Sequence, residues 1–187
     1  MLFRPLETER LRLEPIRREH ADAMFEGLHE PSLYDYETDE PPSTLAELRE
    51  RYAALAEAGS AAGHGRWLNW VIVAREGGAA GYVQATVRAD RRAATIGYLV
   101  LPAFQRRGIG REAVGAMADH LTAAGIGTLE AVVDVRNAAS IALLERIGFR
   151  RVRTRRSDDV IHGVRGMDHE YVRSTHDRTG PEAESSA

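Results

Sequence analysis

The sequence predicts a mixed α/β domain built on one central sheet. Three observations point there. Several short stretches alternate apolar and polar residues, the period of half-buried strands, while others repeat apolar residues every three or four positions, the period of helices. The two kinds of segment interleave without a linker between them. The chain has 187 residues and 20.7 kDa, 43% apolar and 28% charged, the size of one domain that buries about two-thirds of its unfolded surface.

Taken in order, Arg10 to Ile16 alternates and reads as a strand. Glu19 to His29 places Ala23, Met24 and Leu28 at helical spacing. Pro31 to Pro42 is a loop dense in Pro, Tyr and acid. Ser43 reads as the N-cap of a second helix, with Glu47 in its first turns and a stripe of Leu45, Leu48, Tyr52 and Leu55. Ser60 to Gly65 is a small-residue loop. Trp67 to Arg75, Ala80 to Val87 and Ala93 to Leu101 read as three antiparallel strands, the first two joined by the turn signal Glu76-Gly77-Gly78. Arg111 to Ala124 is a helix ended by Gly125 and Gly127, and Thr128 to Val135 a buried strand. Asn137 caps a helix with Ile141, Leu144 and Ile147 inward and Gly148 at its end. Phe149 to Thr154 and Val164 to Val172 form a last strand pair. Residues 1–173 are expected to be one domain, and 174–187 a polar, mobile tail.

Composition excludes several functions. There is no cysteine, hence no disulfide scaffold, thiolate metal site or cysteine nucleophile. All 25 basic residues are arginine, so no lysine serves as a base or Schiff-base former. Twenty-five basic against 28 acidic residues give a net charge of −3, which argues against a nucleic-acid partner. No apolar run approaches the ~20 residues of a membrane helix, and Met1 to Pro5 lacks the apolar stretch of a secretory leader. The expectation is a cytoplasmic protein without a membrane partner. The seven histidines form no helical H-x-x-x-H pair, and no metal is expected.

The informative stretch is Tyr98 to Arg111. A strand ends, a loop passes Gly108 and Gly110, and a helix begins. Glycines admit a bulky anion, the free amides at a helix start favour negative charge, and Arg106, Arg107 and Arg111 add cations. This pattern suits a phosphate or pyrophosphate. A Walker loop requires a Gly-Lys-Ser/Thr ending, and there is no lysine. Gly108-x-Gly110-x-x-Ala113, with Glu130 twenty residues after Gly110, matches a relaxed dinucleotide pattern. Seven residues separate the strand end from the first glycine, however, which that turn does not allow.

Gln105-Arg106-Arg107-Gly108-Ile109-Gly110 resembles the Q/R-x-x-G-x-G/A signature of the GNAT N-acetyltransferase superfamily. Thr95-Ile96-Gly97-Tyr98 resembles the strand before that signature. Asn137-Ala138-Ala139-Ser140 and Glu145 to Phe149 resemble its N-x-x-S…E-K-x-G-F segment. Thr8 to Leu13 resembles the opening strand of the RimJ/RimL-like branch. The resemblance implies a mostly antiparallel twisted sheet, splayed at one parallel strand pair and flanked by helices. It implies acetyl-CoA as co-substrate, with its pantetheine arm along Tyr98, Leu99 and Val100. Its pyrophosphate meets the amides of Arg106, Arg107, Gly108, Ile109, Gly110 and Arg111, a Cβ at Gly110 would fill the pyrophosphate's space, and Asn137 is a further contact. The implied activity is transfer of an acetyl group to a primary amine, a protein N-terminus or a small molecule, by a monomer or homodimer. Without cysteine the transfer is direct, in a ternary complex. The tyrosine that many relatives use as acid falls at Leu144, a core position, so a non-catalytic CoA-binding module is the alternative. Ser140 is the implied donor to the CoA sulfur, though a first-turn serine is equally an ordinary helix residue. Asp159, with Asp158 adjacent, is the implied base.

Other residues carry less. Gln84 faces the cleft and could orient a water. His169 reads as a strand residue ordered by Asp168. Trp67 and Trp70 are read as core. Arg150 to Arg156, five arginines, is a solvated strand end that an RNA could touch. The four carboxylates and two tyrosines of Tyr34 to Glu40 would attract a cationic amine.

Overall fold

The computed structural model describes residues 2–60 and 65–174. The tail beyond Ser174, His176, and the loop around His64 lie outside them. Eight strands form one sheet in the order β1-β2-β3-β4-β5-β6-β8-β7. They are β1 (Leu6–Glu7), β2 (Leu11–Pro15), β3 (Gly65–Ala74), β4 (Gly78–Arg88), β5 (Ala93–Val100), β6 (Thr128–Asp134), β7 (Arg150–Arg156) and β8 (Met167–Ser174). Every neighbouring pair is antiparallel except β5 and β6. The helices are α1 (His20–Met24), α2 (Leu45–Ser60), α3 (Ile109–Ala123) and α4 (Ala138–Arg146).

Alternation along the strands builds two apolar layers. Leu11, Leu13, Trp70, Ile72, Val83, Ala94 and Ile96 meet Ala113, Met117 and Leu121 of α3 and Leu144 of α4 on one face. Val71 and Leu101 meet Met24, Leu48 and Tyr52 of α1 and α2 on the other. Trp70 is fully buried, donates its indole N–H to the Arg4 carbonyl (2.9 Å) and packs edge-on against Phe3. Trp67, three positions away and so on the opposite face, is 55% exposed and is not core.

Three elements differ from the sequence reading. The first helix is α-helical only over His20–Met24 and tightens to a 3-10 turn over Glu26–His29, where Gly27 packs against the Leu101 side chain. A Cβ at Gly27 would lie 2.7 Å from Leu101 Cδ1. The α2 cap is Thr44 rather than Ser43: Thr44 Oγ1 accepts from the Glu47 amide (3.1 Å), and Glu47 Oε2 accepts from the Ser43 amide (3.0 Å). The two-residue β1 is too short to show a period. Arg153 and Arg155 of β7 are engaged rather than free: both bond Glu170 of β8, and Arg155 also bonds Asp158.

Gly81 of β4 sits beside a register shift, with φ +144°, and presses onto β5. A Cβ there would collide with the Leu99 carbonyl oxygen. Gly81→Ala is therefore expected to lower stability by at least about 1–3 kcal/mol from backbone strain alone, checked by chemical denaturation.

Candidate active site

The parallel pair β5–β6 is joined only at Ala93, Ala94 and Thr95 against Thr128, Leu129 and Glu130. Beyond them β5 follows β4 and β6 follows β8, each fully paired on its outer side, and the two diverge. Backbone groups alternate sides along a strand. The Arg92 carbonyl accepts from Thr128 of β6, and the Leu101 amide donates to the Ala80 carbonyl of β4. By this alternation Tyr98 and Val100 turn their backbone groups into the gap, whereas Leu99 turns its own to β4. The Leu99 side chain joins the α1–α2 layer. Gln105 Nε2 donates to the Val100 carbonyl (2.9 Å), so the Val100 N–H is the group left facing the opening.

The chain then makes a 3-10 turn at Pro102–Phe104, takes Arg106 through φ +59° and Gly108 through φ +77°, and enters α3. No side chain caps this helix start. Its first internal bond runs from the Glu112 amide to the Gly108 carbonyl, so the amides of Ile109, Gly110 and Arg111 have no intrahelical acceptor. With exposed Arg106, Arg107 and Arg111 around them, they form an anion cradle. The cradle is braced from the β1–β2 turn, a role the sequence did not reveal. Arg10 donates to the Arg107 carbonyl (3.0 Å) and to Glu112 Oε2 (2.7 Å), and Thr8 Oγ1 donates to Glu112 Oε1 (2.5 Å). One expectation is corrected. A Cβ on Gly110 would point to Leu143 Cδ1 (3.0 Å) and Val100 Cγ2 (3.3 Å). Gly110 is thus a close approach of α3 to α4 and β5, not a space kept for pyrophosphate.

Across the gap, Asn137 Oδ1 accepts from the Ser140 amide (3.0 Å) and caps α4. The Ser140 and Tyr98 hydroxyls are hydrogen-bonded at 2.7 Å. Leu144 is 1% exposed, inside the core.

The acidic loop reaches the open end of the gap. His162 Nε2 donates to the Tyr34 carbonyl (3.1 Å), tying the loop to the β7–β8 connection. The Tyr36 ring lies 5.6 Å from the Arg136 guanidinium, which grips Asp134 at the end of β6 with two bonds of 2.8 and 2.6 Å. That grip holds the Asp134 carboxyl below its usual range. The Glu37 side chain is exposed to solvent. The protein around it nevertheless removes enough solvent, with repulsion from Asp39 and Asp159, to push its carboxyl up to about 7. The sequence marked this loop as acidic; only the fold singles out Glu37 and brings it toward Asp159. Asp158 instead pairs with Arg155 at 2.6 Å. Gln84 lies against Gly97 of β5, whose Cβ would come within 2.8 Å of Gln84 Nε2. His169 is ordered by Thr154 (2.8 Å) and Arg151 (3.3 Å), not by Asp168. Among the described residues, no group of three or more His, Asp and Glu side chains could hold a metal ion, and no helix is long and apolar enough to cross a membrane.

A sheet splayed at its one parallel pair, with an uncapped helix start at the mouth, defines an acyl-CoA N-acyltransferase fold, and the chain belongs to the GNAT acetyltransferase family. The model described as acetyltransferase (GNAT) domain matches residues 10–150. The chain is 33% identical over 121 residues, 64% of its length, to the ribosomal protein bS18 alanine N-acetyltransferase of Escherichia coli, covering 80% of that protein. It is 29% identical over 158 residues, 80% of its length, to the N-acetyltransferase YoaA of Bacillus subtilis, covering 85% of it. Among solved structures, a RimL ribosomal-protein α-N-acetyltransferase in complex with coenzyme A superposes with a TM-score of 0.81 at 20% identity, over 91% of this chain and 97% of that one. A ribosomal-protein alanine acetyltransferase from Vibrio fischeri superposes with 0.79 at 21%, over 94% and 99%. These two likenesses bear on the fold.

Leu144→Tyr is expected to overpack the core, lowering stability by about 1–3 kcal/mol without raising turnover, measured by denaturation and thiol release. Glu37 carries a second consequence. Its folded pKa lies above the unfolded one, so its ionisation costs stability as pH rises from the ordinary carboxylate range through about 7. Glu37→Gln removes that cost: melting curves should show a larger gain over wild type at pH 8 than at pH 5.

Proposed function

We propose that residues 1–173 act as one catalytic domain that transfers the acetyl group of acetyl-CoA directly to a primary amine. The observation that carries this reading is the β5–β6 gap, which opens a free Val100 N–H beside the uncapped start of α3. The residues suit the co-substrate. The amides from Arg106 to Arg111 would take its pyrophosphate, the gap-facing backbone of Tyr98 and Val100 its pantetheine amides in the manner of an added strand, and the Asn137 side-chain amide a further polar group. Acetyl-CoA supplies a thioester carbonyl that a neutral amine can attack. The Val100 N–H stabilises the developing oxyanion. Ser140 donates a hydrogen bond to the departing sulfur. Glu37 and Asp159 receive the proton of the amine.

The acceptor is best read as an α-amine. An α-ammonium has a pKa near 8, so its proton passes to a carboxylate at about 7 with roughly a tenfold penalty. Transfer to an ordinary carboxylate costs about ten-thousandfold. The side-chain ammonium of a lysine, near 10.4, is far harder to deprotonate. The activity for which the Escherichia coli relative is named, on an alanine of ribosomal protein bS18, agrees with an α-amine. The buried Leu144 favours one other reading, a CoA-binding module without activity. Release of free thiol over a panel of amines and N-terminal peptides decides between them.

Ser140→Ala should lower kcat about 10- to 1,000-fold, toward the small end because a thiol near pKa 8.5 is a tolerable leaving group, while calorimetry shows unchanged acetyl-CoA affinity. In wild type, kcat/KM should rise with pH through about 7 as Glu37 ionises. Glu37→Gln should remove that limb, and Asp159→Asn should depress the rate while Asp158→Asn does not.

A further inference from the structure

The helix position that would hold a phenol is Leu144, buried in the core, yet a phenol reaches the same helix from the sheet. Tyr98 stands on β5 between Ile96 and Val100, on the face covered by α3 and α4. Its hydroxyl lies 2.7 Å from Ser140 Oγ and 3.4 Å from the Ser140 carbonyl. A helical serine ordinarily turns its proton back to a carbonyl of the preceding turn. Here Ser140 Oγ meets the Tyr98 hydroxyl instead. The Ser140 amide is held by Asn137 Oδ1. The serine is thus fixed in place, and the Tyr98 phenol is the partner that decides where its proton points.

We infer that Tyr98 is the positioning residue of the leaving-group site: its phenol donates to Ser140 Oγ and so directs the serine proton into the gap, toward the CoA sulfur. This rests on the reading of Ser140 given above. The pair acts as a chain of two donors in which each bond strengthens the next. No proton needs to leave it. Burial pushes the Tyr98 phenol up to about 12, well above a thiol near 8.5, so the proton stays on oxygen and the sulfur departs as a hydrogen-bonded thiolate. The C–S electron pair goes to sulfur. The new C–N bond forms with the amine, whose proton passes to the acceptor-side carboxylates. The polar contact that Leu144 cannot make therefore comes from Ser140 of α4, oriented by Tyr98 of β5.

The test compares wild type, Tyr98→Phe, Ser140→Ala and the double variant, with acetyl-CoA and an alanyl N-terminal peptide. Tyr98→Phe should lower kcat about 5- to 50-fold with acetyl-CoA affinity within about twofold of wild type. The double variant should be no slower than Ser140→Ala alone, the non-additivity of groups acting in series. Replacing Tyr98 with a ring-fluorinated tyrosine, whose phenol ionises at lower pH, should bring a falling limb into the pH–rate profile that wild type lacks up to about pH 9. A fully active Ser140→Ala would sink the Ser140 reading and this inference with it. An impaired Ser140→Ala beside a wild-type Tyr98→Phe would overturn the inference alone. So would a Tyr98→Phe that loses affinity or stability with kcat unchanged, or a fluorinated protein without the falling limb.

Discussion

Everything at the candidate site depends on a parallel strand pair that stops after three residues. β5 and β6 are each held along their full length by the neighbour on the other side, β4 and β8. Neither can bend back to meet the other past Thr95 and Glu130. A backbone N–H without a partner inside a protein is costly, and the fold tolerates one at Val100 because the gap leaves it accessible. Gln105 completes the arrangement by occupying the Val100 carbonyl, which leaves a donor and no competing acceptor at the opening. Gly81 presses β4 onto Leu99 at the same level, so the spot where β5 ends is set by backbone contact rather than by a side chain that could rotate.

The two loops flanking the gap are each braced by an arginine. At one end Arg10 spans from the β1–β2 turn to the Arg107 carbonyl and Glu112, bracing a loop whose Arg106 and Gly108 both sit at positive φ. At the other, Arg136 is locked to Asp134 and carries Tyr36 of the acidic loop on its face. Both guanidiniums are about half exposed. Ion pairs this exposed contribute little to stability; their role is to fix the positions of two loops that have few apolar contacts of their own.

A net charge of −3 conceals a strong separation. Arg106, Arg107 and Arg111 gather at the start of α3, whereas Glu37, Asp39 and Asp159 gather where the acidic loop meets the β7–β8 connection. One side suits a polyanion and the other an ammonium. Between them the Tyr98 and Ser140 hydroxyls, 2.7 Å apart, provide neutral polar groups. Desolvation first, and then repulsion from Asp39 and Asp159, raises the Glu37 carboxyl to about 7.

The amino-acid order alone determined the mixed α/β class, most element boundaries, the glycine-led start of α3 after Arg106 and Arg107, and the core placement of Leu144. Each of these is a local property: a period, a cap, a glycine at a strand–helix junction, or a helical phase. Local reasoning failed where a residue's surroundings come from distant segments. The period of β3 puts Trp67 and Trp70 on opposite faces but could not tell which of the two is covered. The motif at Gly110 suggested room for a ligand, although its Cβ faces Leu143 and Val100. Tyr98 was read for its backbone, because the hydroxyl partner stands 42 residues further along the chain. Glu37 was one acid among four in a loop, and its elevated pKa comes first from desolvation by the folded protein and then from Asp39 and from Asp159, 122 residues away in sequence. The brace by Arg10 and Glu112 joins residues 102 apart. Desolvation, charge repulsion and side-chain hydrogen bonds act over a few ångströms of space regardless of sequence separation, so these features arise only when the chain closes on itself.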